Sequence, residues 1–279
     1  MTAGGAALAA AAVAVGAGGS GFGGPVSFPD VALALVLVVV ALGVSWWRRV
    51  GLESDLAVAT VRSFVQLLAV GYVLDFVFRD HGALTVVVLA VMVGTATLTS
   101  AARAAGVPRA RPIAAASIGV AAAGTLGVLL ALRIIHASPR VVIPLGSMII
   151  SSAMNTTSLV MSRLRQDLAT ARREVEARLS LGQPAREAAR PWQRVALRTG
   201  MLPIVDQTKV VGLVALPGAM TGMILAGASP LAAIRLQLLV MYMLLGGNAF
   251  AALVSGELTL RRLFTPDHQL IRTLRRTPT

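Results

Sequence analysis

The sequence predicts an all-α, polytopic membrane protein with about seven transmembrane helices. Three observations lead there. Of 279 residues, 56% are hydrophobic and only 13% are charged, whereas soluble domains carry roughly 25%. Lipid needs no charged coat, so bilayer-facing helices resolve the shortage. The apolar residues fall in runs of bilayer length, about 20 residues each. Finally, the arginines gather in the short segments between those runs. The net charge of +13 therefore reads as topology and contact with anionic membrane lipid. Aromatic residues make up 4%, too few for base-stacking surfaces, and no nucleic-acid partner is expected. Cysteine is absent, so there is no disulfide, thiolate metal site or cysteine nucleophile.

Residues 1–27 read as an Ala/Gly-rich, flexible or weakly helical extension, broken between Gly16 and Gly24. No Arg or Lys precedes Arg48, so the basic start of a secretory signal is missing. A transmembrane domain is expected over 28–262, with spans near 31–47, 60–78, 84–102, 113–132, 141–162, 203–226 and 232–256. Punctuation marks their edges: Pro29-Asp30, Arg79-Asp80-His81, Pro108 to Pro112, Pro139-Arg140, Ser229-Pro230 and Arg261-Arg262. Trp46 and Trp47 suit an interfacial belt. Residues 263–279 form a basic tail.

Orientation follows from arginine placement. One set of alternate loops holds Arg48 and Arg49, then Arg103, Arg109 and Arg111, then nine arginines from Arg163 to Arg198, then five from Arg261 to Arg276. The other set holds Arg79, Arg133 and Arg140. The positive-inside rule places the first set in the cytoplasm, giving N-out and C-in. An odd number of spans satisfies that orientation.

The segment 163–200 is the one sizeable insertion between spans. Residues 163–182 look like a continuation of span five: Arg172 to Glu176 and Glu174 to Arg178 are opposite charges four apart. Gly182 suits a helix stop and Pro184 the first turn of a short helix over 184–190, limited by Pro191. The segment is either a solvated connector or a docking element for a cytoplasmic partner.

Several polar and conformationally special residues lie within the spans. Asp206 and Lys209 are three apart on one face of span six. They form either a local ion pair with a snorkelling lysine or a gate. Leu216-Pro217-Gly218 predicts a kink in that span, with Gly218, Gly222 and Gly227 permitting close helix contact. The kink is structural or marks a pathway. Asn155, Thr156, Thr157 and Ser158 form a polar patch in span five, Arg62 and Gln66 share a face of span two, and Asn248 follows Gly246-Gly247 in span seven. Interhelical hydrogen bonding and pathway lining are the two readings of the polar patch and Asn248, and snorkelling is the alternative for Arg62. Met154 belongs to a series of methionines best explained by packing. No His/Asp/Glu metal cluster is visible. There is no G-x-x-x-x-G-K-[ST], and Lys209 is the sole lysine, so the chain carries no P-loop of its own. Neither H-E-x-x-H nor G-x-S-x-G occurs.

Glu176-Ala177-Arg178-Leu179-Ser180-Leu181-Gly182 resembles the first half of the cytoplasmic EAA loop of ABC permeases. The run Pro203-Ile204-Val205-Asp206-Gln207-Thr208-Lys209-Val210-Val211-Gly212-Leu213, continuing to Leu216-Pro217-Gly218 and Gly227, is similar to the iron-export ABC permease family, to which plant aluminium-tolerance permeases are related. The resemblance covers roughly 30–272, with Arg62 to Leu67 fitting the family's second span. Ser151-Ser152 stands before Ala153-Met154 where the family carries Gly-Asn.

The resemblance implies a permease subunit, not an enzyme, in the cell membrane. It pairs with a separate ATP-binding subunit that uses the ATP, and binds no cofactor itself. Seven spans are few for a full translocation pathway, so two permease copies are expected to meet. Glu176, Ala177, Leu181, Gly182, Pro184 and Glu187 would dock the ATPase on a coupling helix. Arg62, Gln66, Met154, Asn155, Thr156, Asp206, Lys209, Pro217, Gly218, Gly222 and Asn248 would line the path. Iron export is implied by the resemblance alone. A nucleotide sugar is the alternative substrate, and a stand-alone carrier or channel the alternative class.

Overall fold

The computed structural model describes residues 28–48, 51, 53–78 and 84–271. The expectations for residues 1–27 and for Arg79 to His81 fall outside them. Two compact units are present, Met1–Phe76 and Val77–Thr279.

The first unit holds α1 (Phe28–Arg48) and most of α2 (Glu53–Phe78). Glu53 and Asp55 lie in the first turn of α2, where carboxylates complement the helix dipole. Ser45 Oγ donates to Glu53 Oε1 at 2.9 Å, tying the two helices together across the turn.

The second unit contains α3 (Leu84–Arg103), α4 (Ala110–Ala131), α5 (Pro139–Thr170), α6 (Arg172–Ser180), α7 (Ala185–Ala188), α8 (Arg190–Val210), α9 (Gly218–Leu225) and α10 (Pro230–Leu263). α5 is its central helix and packs against α3, α4, α8 and α10. That position explains the composition of α5. It carries Ser151, Ser152, Asn155, Thr156, Thr157 and Ser158, yet Thr156, Thr157 and Ser158 are buried among protein rather than set against lipid. Small residues permit the close approach. A Cβ on Gly146 would come within 2.7 Å of Leu89 Cδ2, one on Gly256 within 2.8 Å of Leu197 Cδ2, and one on Gly200 would overlap Val160 Cγ2.

The chain is an all-α membrane protein. Among the described residues four helical stretches are long and apolar enough to cross a bilayer: Glu53–Val77, Leu84–Arg103, Ala110–Ala131 and Pro230–Leu263. The apolar part of α1, Leu33–Arg48, is shorter. α5 has 32 residues and α10 has 34, so each is about 50 Å long at 1.5 Å per residue. Both overrun a hydrocarbon layer of about 30 Å.

The expected kinked span over 203–226 is corrected. α8 begins at Arg190 and ends at Val210, a seven-residue link follows, and α9 covers only the eight residues Gly218–Leu225. Two local preferences end the helix. Gly212 takes a left-handed backbone at φ 80, which glycine accepts without a Cβ penalty. Pro217 offers no N–H and disfavours the helical region at Leu216. The link closes on itself through a 3.0 Å bond from Gly212 N to Ala215 O.

Two apolar clusters organise the second unit. The larger includes Ile118, Ala121, Ile149, Ala153, Met161, Val240 and Ala251. The smaller lies at the Arg-rich helix ends and joins Leu164, Leu168, Val175, Ala188, Ala196, Leu260, Leu263, Phe264 and Leu270. The stretch after α10 folds back as a hook: Thr265 N donates to Gln269 O at 2.7 Å and Ile271 N to Leu263 O at 3.1 Å. The first residues of the expected tail are thus part of the packed structure, and Leu270 is buried.

Candidate functional site

The segment between α5 and α8 is a compact helical knob. α5 passes into α6 at Ala171 with only a small backbone deviation. The pairs foreseen four apart form: Arg172 Nε to Glu176 Oε1 at 2.9 Å and Arg178 Nη2 to Glu174 Oε1 at 2.8 Å. α6 ends in the left-handed Gly182 at φ 84. Gly182 N donates to Leu179 O at 2.9 Å and Gln183 N to Arg178 O at 3.2 Å. These bonds satisfy carbonyls that a helix end leaves orphaned. Extended Pro184 then starts α7.

This turn directs Leu181 outward, and its side chain is 82% exposed at the tip of a charged loop. Ala177, Gly182, Pro184 and Glu187 are also exposed, with Glu176 half-buried. The rear of the knob is fixed. Ala185 and Ala188 are buried in the smaller cluster, and Arg186 Nη2 pairs with Glu257 Oε2 of α10 at 3.0 Å. Ala185 N donates to His268 Nδ1 of the hook at 3.4 Å. The Arg178 guanidinium lies 5.3 Å from the ring centre of Trp192 on α8, a cation–π contact. A groove of about 720 Å³ runs between Glu176, Gln183 and Pro184 on one side and Asp267 and His268 on the other. The hook residues thus border the exposed face of the knob, a placement concealed by the sequence separation of 83 between Ala185 and His268.

A buried polar network joins the helices that flank this knob. Asn248, 1% exposed, uses both N–H groups and its carbonyl oxygen. Its Nδ2 donates to Ser152 Oγ and to Leu244 O, both at 2.7 Å. Its Oδ1 accepts from Thr156 Oγ1 at 2.6 Å. Gly200 O of α8 lies 3.2 Å from the same hydroxyl. Thr156 and Asn248, expected as candidates, are therefore brought together on α5 and α10. Ser152 was legible only as a departure from a family pattern. Its spacing of four from Thr156 places both on one helix face, which was the available signal.

The other candidates lie apart from this network. Asn155, one residue from Thr156, faces α3, where its Oδ1 accepts from Arg103 Nη1 at 2.8 Å. Met154 is half-buried against the larger cluster, as a flexible gap-filling side chain would be. Asp206 Oδ1 and Lys209 Nζ form an ion pair at 3.4 Å with both side chains more than 60% exposed. Pro217 ends the link before α9. Gly218 and Gly222 have open space where a Cβ would sit, so the expected close helix contact does not occur there. Gly146, Gly200 and Gly256 take that role instead. Arg62 and Gln66 are exposed one turn apart on α2, within the first unit. Among the described residues no group of three His, Cys, Asp or Glu side chains is placed to hold a metal ion.

Known proteins match this chain along nearly all of the described region. The pattern of the uncharacterised protein family UPF0014 covers residues 28–264. The "UPF0014 membrane protein STAR2" of Oryza sativa subsp. japonica is 41% identical over 243 residues, spanning 87% of this chain and 85% of that protein. "Protein ALUMINUM SENSITIVE 3" of Arabidopsis thaliana is 37% identical over 240 residues, 86% of this chain and 88% of that one. The "Probable iron export permease protein FetB" of Escherichia coli (strain K12) is 35% identical over 243 residues, 87% of this chain and 94% of that one. No solved structure matches.

Proposed function

The chain belongs to the membrane protein family UPF0014, and on that premise we propose that it is the permease subunit of an ABC exporter, with iron as the exported substrate. One observation carries the reading. An exposed knob, tipped by Leu181, sits between α5 and α8, and those same helices share the buried Thr156–Asn248 network with α10. A rigid knob of this kind can pass a push from a nucleotide-binding partner into the helices it joins. The pairs on α6 and the Arg186–Glu257 tie resist its bending.

The arginine distribution supports a cytoplasmic knob, on the side where ATP is available. The membrane is then the cell's plasma or inner membrane. The separate ATP-binding subunit supplies hydrolysis, because this chain has no P-loop sequence. Two permease copies with two ATPase copies form the working assembly. Iron follows from similarity to the Escherichia coli protein named as an iron export permease.

The test has two parts. Co-expression with an ATP-binding cassette subunit from the neighbouring gene should yield a complex with ATP turnover, lost when residues 176–190 are deleted. A strain lacking this chain should accumulate iron and become peroxide-sensitive. Unchanged iron with altered nucleotide-sugar export would reassign the substrate.

A further inference from the structure

We propose that a cavity of about 620 Å³ at the Arg-rich helix ends is a binding site for the phosphate of an anionic lipid head group. The proposal stands independently of the ABC reading. Arg109, Arg186, Arg261 and Arg262 all line this cavity, and Glu257 is its only carboxylate. Both oxygens of Glu257 are already engaged, Oε1 by Arg261 at 2.9 Å and Oε2 by Arg186 at 3.0 Å. Neither Arg109 nor Arg262 makes an ion pair or side-chain hydrogen bond among the described residues. One carboxylate against four guanidinium groups leaves an unbalanced positive site. Arginine's planar fork matches phosphate oxygens in a bidentate geometry.

Position identifies the source of the phosphate. Arg109 stands in the turn between α3 and α4, and Arg261 and Arg262 in the last turn of α10. α3 and α4 have 20 and 22 residues, about one bilayer crossing each, so the turn that carries Arg109 falls near the head groups, and the longer α10 brings Arg261 and Arg262 to the same cavity. Basic pockets between helix ends on the cytoplasmic side suit anionic lipids. Arg109 also keeps a left-handed backbone at φ 54, with no side-chain cap bond in compensation. A non-glycine residue held there is strained. Arg186 belongs to the knob, so a bound head group would bridge the knob to the ends of α3 and α10.

The experiment uses the purified full chain in neutral detergent, read by native mass spectrometry and by melting temperature. Phosphatidylglycerol should be retained in preference to phosphatidylcholine and should raise the melting temperature, while inorganic phosphate at the same concentration should not. R109Q/R262Q should weaken that retention about tenfold, the scale of losing charge-assisted hydrogen bonds. R173Q/R194Q makes the same change in net charge at exposed residues away from the cavity and should retain the lipid like the parent chain. Equal retention by R109Q/R262Q and the parent overturns the site. Should that variant fail to purify, the parent chain decides alone: no preference for phosphatidylglycerol over phosphatidylcholine overturns the proposal. Equal stabilisation by inorganic phosphate overturns the lipid as source and makes the ligand a soluble phosphate.

Discussion

Thr156 Oγ1 lies 2.6 Å from Asn248 Oδ1, so a threonine of the central helix α5 donates its proton to an amide buried in α10. Both polar atoms of the amide are then engaged, since its two N–H groups go to Ser152 Oγ and Leu244 O. Thr156→Val removes the donor and strands a buried acceptor, which costs about 1–3 kcal/mol in soluble proteins. Interhelical hydrogen bonds in membranes average nearer 0.6 kcal/mol, so the lower end of that range is expected. Thermal unfolding of the purified variant measures it. The double variant Thr156→Val with Asn248→Leu should lose less than the sum of the single losses, because the residues touch.

Glycine substitutions should separate the true close contacts from the open positions. Gly200→Ala drives a Cβ into Val160, and overpacking of this kind costs about 1–3 kcal/mol. Gly222→Ala meets open space and should stay within about 0.5 kcal/mol of the parent. Melting temperatures of the two variants in one detergent give the comparison. Equal effects would contradict the packing described for α5 and α8.

The Asp206–Lys209 pair separates stability from transport. Both side chains are mostly exposed, and exposed pairs are worth about 0–1 kcal/mol. Asp206→Asn should therefore melt within about 0.5 kcal/mol of the parent chain. In vesicles loaded with substrate, the reading of Asp206 as a path-lining charge predicts slower transport by the same variant. Parent-like transport would reduce the pair to a local surface interaction.

Much of the architecture was legible because local rules agree with the tertiary structure. The break after α6 was readable from Gly182 and Pro184, since helix stops and starts are local in origin. The spans now seen as α3 and α4 followed from uninterrupted apolar length. The sixth span was misread for a physical reason. Residues 211–217 are apolar enough to resemble a buried helix, while Gly212 and Pro217 turn them into a link that closes on itself. Hydropathy carries no sign of that. Nor could spacing show that Asn155 would face Arg103, 52 residues away. Thr156 and Asn248 were foreseen as separate polar residues, and only packing shows that each satisfies the other.

The central claim is that the Leu181 knob is where a nucleotide-binding subunit seats, and Leu181→Asp tests it most directly. Leu181 is 82% exposed, so the substitution should leave the permease folded with an unchanged melting temperature. Co-purification with the ATP-binding subunit, followed by ATP turnover of the complex, is the measurement. Loss of the complex and of its coupled turnover is the predicted result. A variant that assembles and hydrolyses ATP like the parent would contradict the account.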